Sequence, residues 1–233
     1  MSWVVVPAAG SGSRFGTGLP KQYARLAGRP LIAHTLLRVL AHPAIDGATV
    51  ALAVDDADWA TLGLRCDKPL LTCVGGADRS ASVLAALRAL PASVADDDLV
   101  LVHDAARPCI RHADLDRLID AARSDAIGAL LASPLRDTLK RADAHARVVA
   151  TEPRERFWRA QTPQAFRRGA LTRALEQACT DGVAITDEAM AMERLGMQPL
   201  LVEGSEDNIK VTVASDLALA ERILAMQIDE ETT

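Results

Sequence analysis

The stretch Trp3-Val4-Val5-Val6-Pro7-Ala8-Ala9-Gly10-Ser11-Gly12-Ser13-Arg14-Phe15-Gly16 runs from an apolar strand straight into a turn of small residues. A short apolar run of this kind, closed by turn residues, predicts a strand buried on both faces at residues 3–8. Small residues in the turn let backbone N–H groups approach an anion closely. Two phosphate-binding templates fail here. The dinucleotide fingerprint G-x-G-x-x-G needs glycine where Phe15 stands. The P-loop needs Gly-Lys-Ser/Thr, whereas the nearest lysine follows Pro20. Taken alone, the turn reads equally well as plain structure. Two cations strengthen the anion reading: Arg14 lies inside the loop and Lys21 follows it. Both can point at the same phosphates. That suits phosphoryl or nucleotidyl transfer, where negative charge gathers around phosphorus.

Outward from this stretch, short apolar runs alternate with amphipathic ones. Residues 49–54, 70–74, 99–103 and 127–132 read as further buried strands, and 31–40, 80–90 and 113–123 as helices. Such alternation predicts an α/β fold: a mostly parallel sheet with helices on both faces. Right-handed crossovers then gather the strand C-terminal ends along one edge, where ligands bind. The pattern breaks after Ser133-Pro134. Residues 138–141 and 148–151 predict a hairpin arm around the polar turn 142–146. Regularity then resumes with a helix at 166–179 and another capped by Thr186 and running to Gly196. Short strands are expected at 200–203 and 209–213, then a helix from Ser215 to Met226 and a frayed acidic tail at 229–233.

A chain of 233 residues fits a single domain, with the arm at about 135–155 as its one protrusion. The formal charge of -5 offers no broad positive field, which argues against nucleic acid as a partner. The start of the chain has no basic segment followed by a long apolar run, so no signal peptide is expected. No apolar run approaches membrane-spanning length either, so neither is a membrane partner. Cys66, Cys73, Cys109 and Cys179 form no C-x-x-C pair and no metal-ligand spacing with histidine. Buried thiols in a reducing cytoplasm are the plain reading.

Further chemistry-bearing residues lie at the expected ligand edge. Asp104 closes Val102-His103-Asp104-Ala105-Ala106-Arg107-Pro108, where a carboxylate can hold Mg²⁺ or a sugar hydroxyl. A helix cap or an internal ion pair with Arg107 is the competing reading. His103 reads as a structural histidine outside the mechanism. Gly75-Gly76-Ala77-Asp78-Arg79-Ser80-Ala81-Ser82 is either a strand-to-helix turn or a backbone edge that reads a flat base. Arg154 and Lys210, by spacing alone, read as solvated basic residues.

Together these segments resemble the 2-C-methyl-D-erythritol 4-phosphate cytidylyltransferases of the non-mevalonate isoprenoid pathway. The resemblance rests on the loop at 7–15, Pro20-Lys21-Gln22-Tyr23, the segment 102–108, Pro134-Leu135-Arg136-Asp137-Thr138-Leu139-Lys140, Gln161-Thr162-Pro163-Gln164, Ile185-Thr186-Asp187-Glu188 and Asp207-Asn208-Ile209-Lys210. They follow the family order from end to end of the chain, and the ordered set is far more specific than any one member. The resemblance implies a Rossmann-like nucleotidyltransferase fold and a cytoplasmic homodimer. It also implies that Ala8, Ala9, Gly10, Gly12 and Ser13 cradle the CTP triphosphate, with Arg14 and Lys21 at the α-phosphorus. Gly76 and Ser82, with the Ala8 backbone, would face cytosine. Asp104, Arg107, Thr138 and Thr162 would surround the methylerythritol, and Arg154 and Lys210 would grip its phosphate. In that family the arm wraps a second subunit, which puts Thr138 and Arg154 in reach of the neighbour's site. Ala77 departs from the polar or acidic residue usual there, leaving base reading to the backbone.

The implied reaction is in-line attack of the acceptor phosphate on the CTP α-phosphorus, releasing pyrophosphate. Mg²⁺ is expected mainly on the CTP phosphates, and no set of protein metal ligands is read. The attacking oxygen is already ionised, so no general base is needed. A cytidylyltransferase for another polyol phosphate, such as ribitol 5-phosphate, would share the nucleotide loop and differ around the acceptor. A nicotinamide-dependent dehydrogenase is disfavoured by the failed fingerprint. Its ribose-binding acid is also wrongly placed, since Asp55-Asp56 lies about twice the expected distance along the chain. A non-catalytic nucleotide-binding regulator would not need Arg14, Lys21, Arg154 and Lys210 together.

Overall fold

Burial alternates along the first strand and sets the layers. Val4 and Val6 enter one apolar cluster, Trp3 and Val5 the other. The computed structural model describes residues 1–10 and 20–232. Strand β1 (Ser2–Pro7) precedes a small hairpin, β2 (Arg25–Leu26) and β3 (Arg29–Pro30), and helix α1 (Leu31–Ala41). Next come β4 (Gly47–Leu52), β5 (Leu70–Val74), α2 (Arg79–Arg88), β6 (Leu99–Val102), α3 (His112–Ser124) and β7 (Gly128–Pro134). A separate hairpin, β8 (Leu139–Ala142) and β9 (Val148–Glu152), forms the arm. The chain returns through β10 (Trp158–Arg167), α4 (Arg168–Thr180), α5 (Glu188–Arg194) and β11 (Leu200–Glu203) and closes on α6 (Ser215–Thr232).

The main sheet has the order β11-β7-β10-β6-β1-β4-β5. Every neighbouring pair is parallel except the two made by β10. One face packs on α1 and α3 through Ile32, Leu36, Leu115 and Leu118. The other packs on α2 and α4 through Val83, Leu87, Leu171 and Leu175. A third cluster seats α6 against Leu26, Leu31 and Val211. The mostly parallel, doubly covered sheet expected from the sequence is thus present.

Several local expectations are corrected. Residues 166–167 end strand β10, and the helix begins at Arg168. β10 was not anticipated, because Gln161-Thr162-Pro163-Gln164 lacks strand-like apolarity and contains proline. Proline is accommodated because the β10–β7 register shifts between Ala160 and Gln164. β5 is an edge strand with exposed Leu71 and Val74, not a buried one. Residues 209–213 form no strand; the Val211 N–H instead donates to the Ala106 carbonyl at 2.9 Å. Asp187, not Thr186, caps α5, accepting from the Met190 N–H at 3.0 Å. Helix α6 continues through the acidic tail to Thr232, and Glu230 pairs with Arg111 at 2.6 Å. Of the four free cysteines only Cys109 is buried.

Candidate active site

The end of β1 is braced before any side chain reaches a ligand. The Ala8 N–H donates to the Ala51 carbonyl at 2.8 Å, and buried Gln22 donates to the Ala8 carbonyl at 2.9 Å. Gln22 sits in a single 3-10 turn, Lys21–Tyr23, and so fixes Lys21 beside the β1 exit. Beyond β5, Gly75 lets two loops meet: a Cβ there would lie 2.6 Å from the Ala9 Cβ. Asp78 caps α2 by accepting from the Ala81 N–H at 2.8 Å. These elements enclose a cavity of about 330 Å³ at the C-terminal edge of the sheet.

The structure brings Ala8, Ala9, Gly10, Lys21, Gly76, Ser82, Asp104 and Lys210 to this one cavity. Gly12, Ser13 and Arg14 lie outside the described residues. Thr138 and Arg154 are exposed at the base of the arm and are not on the cavity wall; the Arg154 guanidinium donates to the Arg136 carbonyl. The Gly76 N–H donates to the Ser82 hydroxyl at 3.1 Å, so this donor is already engaged. Thr162 is buried on β10, and its hydroxyl accepts from the Asp104 N–H at 3.0 Å.

Asp104 is the electrostatic centre. It is 7% exposed and faces three cations: Lys210 Nζ at 2.8 Å, Arg79 Nε at 3.1 Å and Arg107 Nε at 3.6 Å. Burial alone would raise its carboxyl. The charges of Arg79, Lys210 and Arg107 more than offset that and hold it well below the usual carboxylate range. Arg79 continues the network through a two-pronged contact with Glu188, at 2.6 and 3.1 Å. Glu188 is fully buried, and that burial pushes its carboxyl up despite Arg79.

His103 bears out its reading as structural. It is fully buried, and burial lowers its pKa to about 4. Nε2 lies 3.1 Å from the Arg107 carbonyl, which can only accept, so Nε2 carries the proton. Nδ1 therefore accepts from the Thr162 hydroxyl at 3.0 Å. Asn208 adds a second brace: its carbonyl accepts from Arg107 at 2.6 Å, and its side-chain amide donates to the Thr162 carbonyl at 2.7 Å. Sequence reasoning missed Arg79, Glu188 and Asn208 as parts of the site. Arg79 and Glu188 each sit at a helix start, and a glutamate in a buried first turn signals a distant cationic partner.

A cavity at the strand C-termini that gathers Lys21, Lys210 and a charged Asp104 has the character of a nucleotidyltransferase site. The family model for 2-C-methyl-D-erythritol 4-phosphate cytidylyltransferase matches residues 2–226. Proteins of that name from Stenotrophomonas maltophilia (strain R551-3) and Xanthomonas oryzae pv. oryzae (strain PXO99A) are 60% and 58% identical to the chain. They align with 96% and 97% of it and with 96% and 85% of their own lengths. The crystal structure of the Francisella tularensis protein superposes with a TM-score of 0.81 at 34% identity, covering 95% of this chain and 99% of that one. The chain belongs to the 2-C-methyl-D-erythritol 4-phosphate cytidylyltransferase family.

Proposed function

We propose that the chain transfers CMP from CTP to 2-C-methyl-D-erythritol 4-phosphate, giving 4-diphosphocytidyl-2-C-methyl-D-erythritol and pyrophosphate. The observation that carries the reading, beside family membership, is the convergence of Lys21, Asp104 and Lys210 on one cavity. Lys21, with Arg14, stabilises charge at the α-phosphorus and the leaving pyrophosphate. Asp104 takes acceptor hydroxyls, while Arg107 and Thr162 hold it in place. Lys210 pairs with the acceptor phosphate and offsets the repulsion between two anionic substrates. The acceptor oxygen is ionised at neutral pH and needs no general base, which agrees with a buried His103 whose two ring nitrogens are both engaged within the protein.

Asp78 and Asp104, the two carboxylates on the described wall, are both engaged by other groups. Among the described residues no cluster of three or more His, Cys, Asp or Glu is placed to hold a metal. Mg²⁺ carried on the CTP phosphates would add positive charge to the triphosphate beside Lys21 and Lys210.

The reading extends to one domain in a cytoplasmic homodimer, with the arm contacting the second subunit. Among the described residues no helix is long and apolar enough to cross a membrane. Val148 and Val149 on the arm are 64% and 55% exposed, and Phe157 and Trp158 beside it are also open. An isolated hairpin of this kind is marginal in water. Arg154 and Thr138 then complete the neighbour's acceptor site. Pyrophosphate release over a grid of nucleoside triphosphates and polyol phosphates tests the whole. CTP with methylerythritol phosphate should dominate and should lose turnover in EDTA. Equal turnover of UTP or ATP, or preference for ribitol 5-phosphate, overturns the assignment. A fully active monomer in light scattering overturns the dimer.

A further inference from the structure

Arg79 occupies a place that the reaction as described does not use. It is the first residue of α2, directly after the turn that lines the nucleotide side of the cavity. Its guanidinium reaches two carboxylates on other elements. Nε donates to Asp104 at the end of β6, and the two terminal nitrogens clasp Glu188 at the start of α5. The three residues lie far apart in sequence, so no local turn holds them together. A planar fork can satisfy both carboxylates at once, whereas an ammonium is a single point charge.

The three cations around Asp104 divide by exposure. The Lys210 side chain is 44% exposed and lines the cavity, so it can exchange Asp104 for an incoming phosphate. Arg107 is nearly buried and is tied to the Asn208 carbonyl. Arg79 also lines the cavity, with 26% of its side chain exposed, but it is anchored on the far side by a carboxylate with no exposure at all. If Lys210 turns to the acceptor, Arg79 and Arg107 remain to keep Asp104 charged and aimed.

We propose that Arg79 is a positioning residue that acts through Asp104: anchored by Glu188, it orients the carboxylate that receives the acceptor polyol. The inference rests on the cytidylyl-transfer reading of this cavity. Arg79 spends its guanidinium on Asp104 and Glu188, so its loss should show in the acceptor's constants and not in nucleotide binding.

Three variants test it: Arg79→Gln, Arg79→Lys and the double variant Arg79→Gln/Glu188→Gln. Each is measured for steady-state turnover with CTP and methylerythritol phosphate, for CTP affinity by calorimetry, and for thermal midpoint. Arg79→Gln should raise the acceptor KM by about tenfold or more while CTP affinity changes by less than about threefold. Arg79→Lys should fall between wild type and Arg79→Gln, because it keeps the charge and loses the fork. The double variant leaves no uncompensated charge at residue 188 and should recover the thermal midpoint, yet its acceptor KM should stay high. Recovery of the acceptor KM in the double variant would make Arg79 a mere counter-ion for Glu188 and overturn the proposal. So would an equal loss of CTP affinity, or an unchanged acceptor KM in Arg79→Gln. Should Arg79→Gln not fold, the same criteria apply to Arg79→Lys and the double variant. A wild-type protein that fails to turn over this substrate pair sinks the functional reading; turnover without the KM split sinks only the role of Arg79.

Discussion

Arg79–Glu188 and Arg141–Glu152 are both 2.6 Å ion pairs, yet they belong to regions of opposite character. The first joins α2 to α5 under the cavity, with side-chain exposures of 26% and 0%. The second crosses the arm hairpin, with exposures of 62% and 30%. Distance is the same; dielectric and company are not. At the sheet edge Arg79, Asp104, Glu188 and Thr162 are tied to one another across four elements by ion pairs and hydrogen bonds. On the arm, apolar side chains face outward and the pairs are wet. A described wall braced within one chain stands against an arm whose apolar side chains are left open.

The largest expected effect tests whether the sheet edge is as tightly coupled as its geometry indicates. Glu188→Ala strips Arg79 of its buried partner and should cost about 3 kcal/mol or more. For a chain of this length that lowers the thermal midpoint by roughly 10 °C, measurable by calorimetry. A shift of only a degree or two would mean that water enters the network and the contrast with the arm is false. Lys21→Ala should leave the fold intact and lower kcat by about 10²–10³. A normal kcat with a raised KM for CTP would move Lys21 from the transition state to simple binding.

His103 sharpens the comparison through pH. The unfolded imidazole binds a proton near 6.5, the buried one only near 4. Between these values the unfolded chain carries the extra proton, so stability falls as pH drops from about 6.5 towards 4. The full loss is about 3 kcal/mol. His103→Gln should flatten this part of the curve of thermal midpoint against pH. An unchanged slope would assign the acid sensitivity elsewhere.

The same division explains what the sequence revealed. Lys21 and Asp104 were legible because each follows a strand exit in a short motif, and a parallel sheet gathers such exits on one edge; Lys210 read as a solvated base and gained its role only through the family resemblance. β10 was not, because Gln161-Thr162-Pro163-Gln164 is strand only through the sheet around it. Those side chains serve as braces for Asp104 and α5 rather than as core. The Arg79–Glu188 pair spans 109 positions, and charge alone does not announce burial. The α5 cap was misplaced by one residue because Thr186 and Asp187 are both good capping types. The arm was legible as an interruption, though nothing local says what it touches.

Subunit mixing carries the comparison across the proposed dimer. Arg154→Ala should reduce kcat/KM for methylerythritol phosphate by about 10² or more with CTP affinity intact. If Arg154 serves the neighbouring site, co-refolding equal amounts of Arg154→Ala and Lys21→Ala chains restores one complete site in each mixed dimer. Random pairing then yields about a quarter of the wild-type rate. A mixture as inactive as either parent would place Arg154 in its own subunit's site or outside any site, and the arm would lose its catalytic part.

The smallest effect is expected at Glu152→Gln, and its smallness is the point. The Arg141–Glu152 pair lies in water, where its Coulomb energy is screened and its side chains give up rotamer freedom to meet. Such pairs contribute about 0–1 kcal/mol, so the thermal midpoint should move by less than about 3 °C. The variant keeps the shape of the side chain and one acceptor oxygen for the Arg141 guanidinium, and removes the charge. Its cost therefore reports the dielectric around the arm directly. Measured at high dilution and again at high concentration, the shift should stay below that limit in both. A cost near that of Glu188→Ala only at high concentration would place this strand pair beneath a second subunit, with the exposed valines Val148 and Val149 forming the rim. A large cost at every concentration would instead show that the arm is held against its own chain, and the division between a braced wall and an open arm would fall.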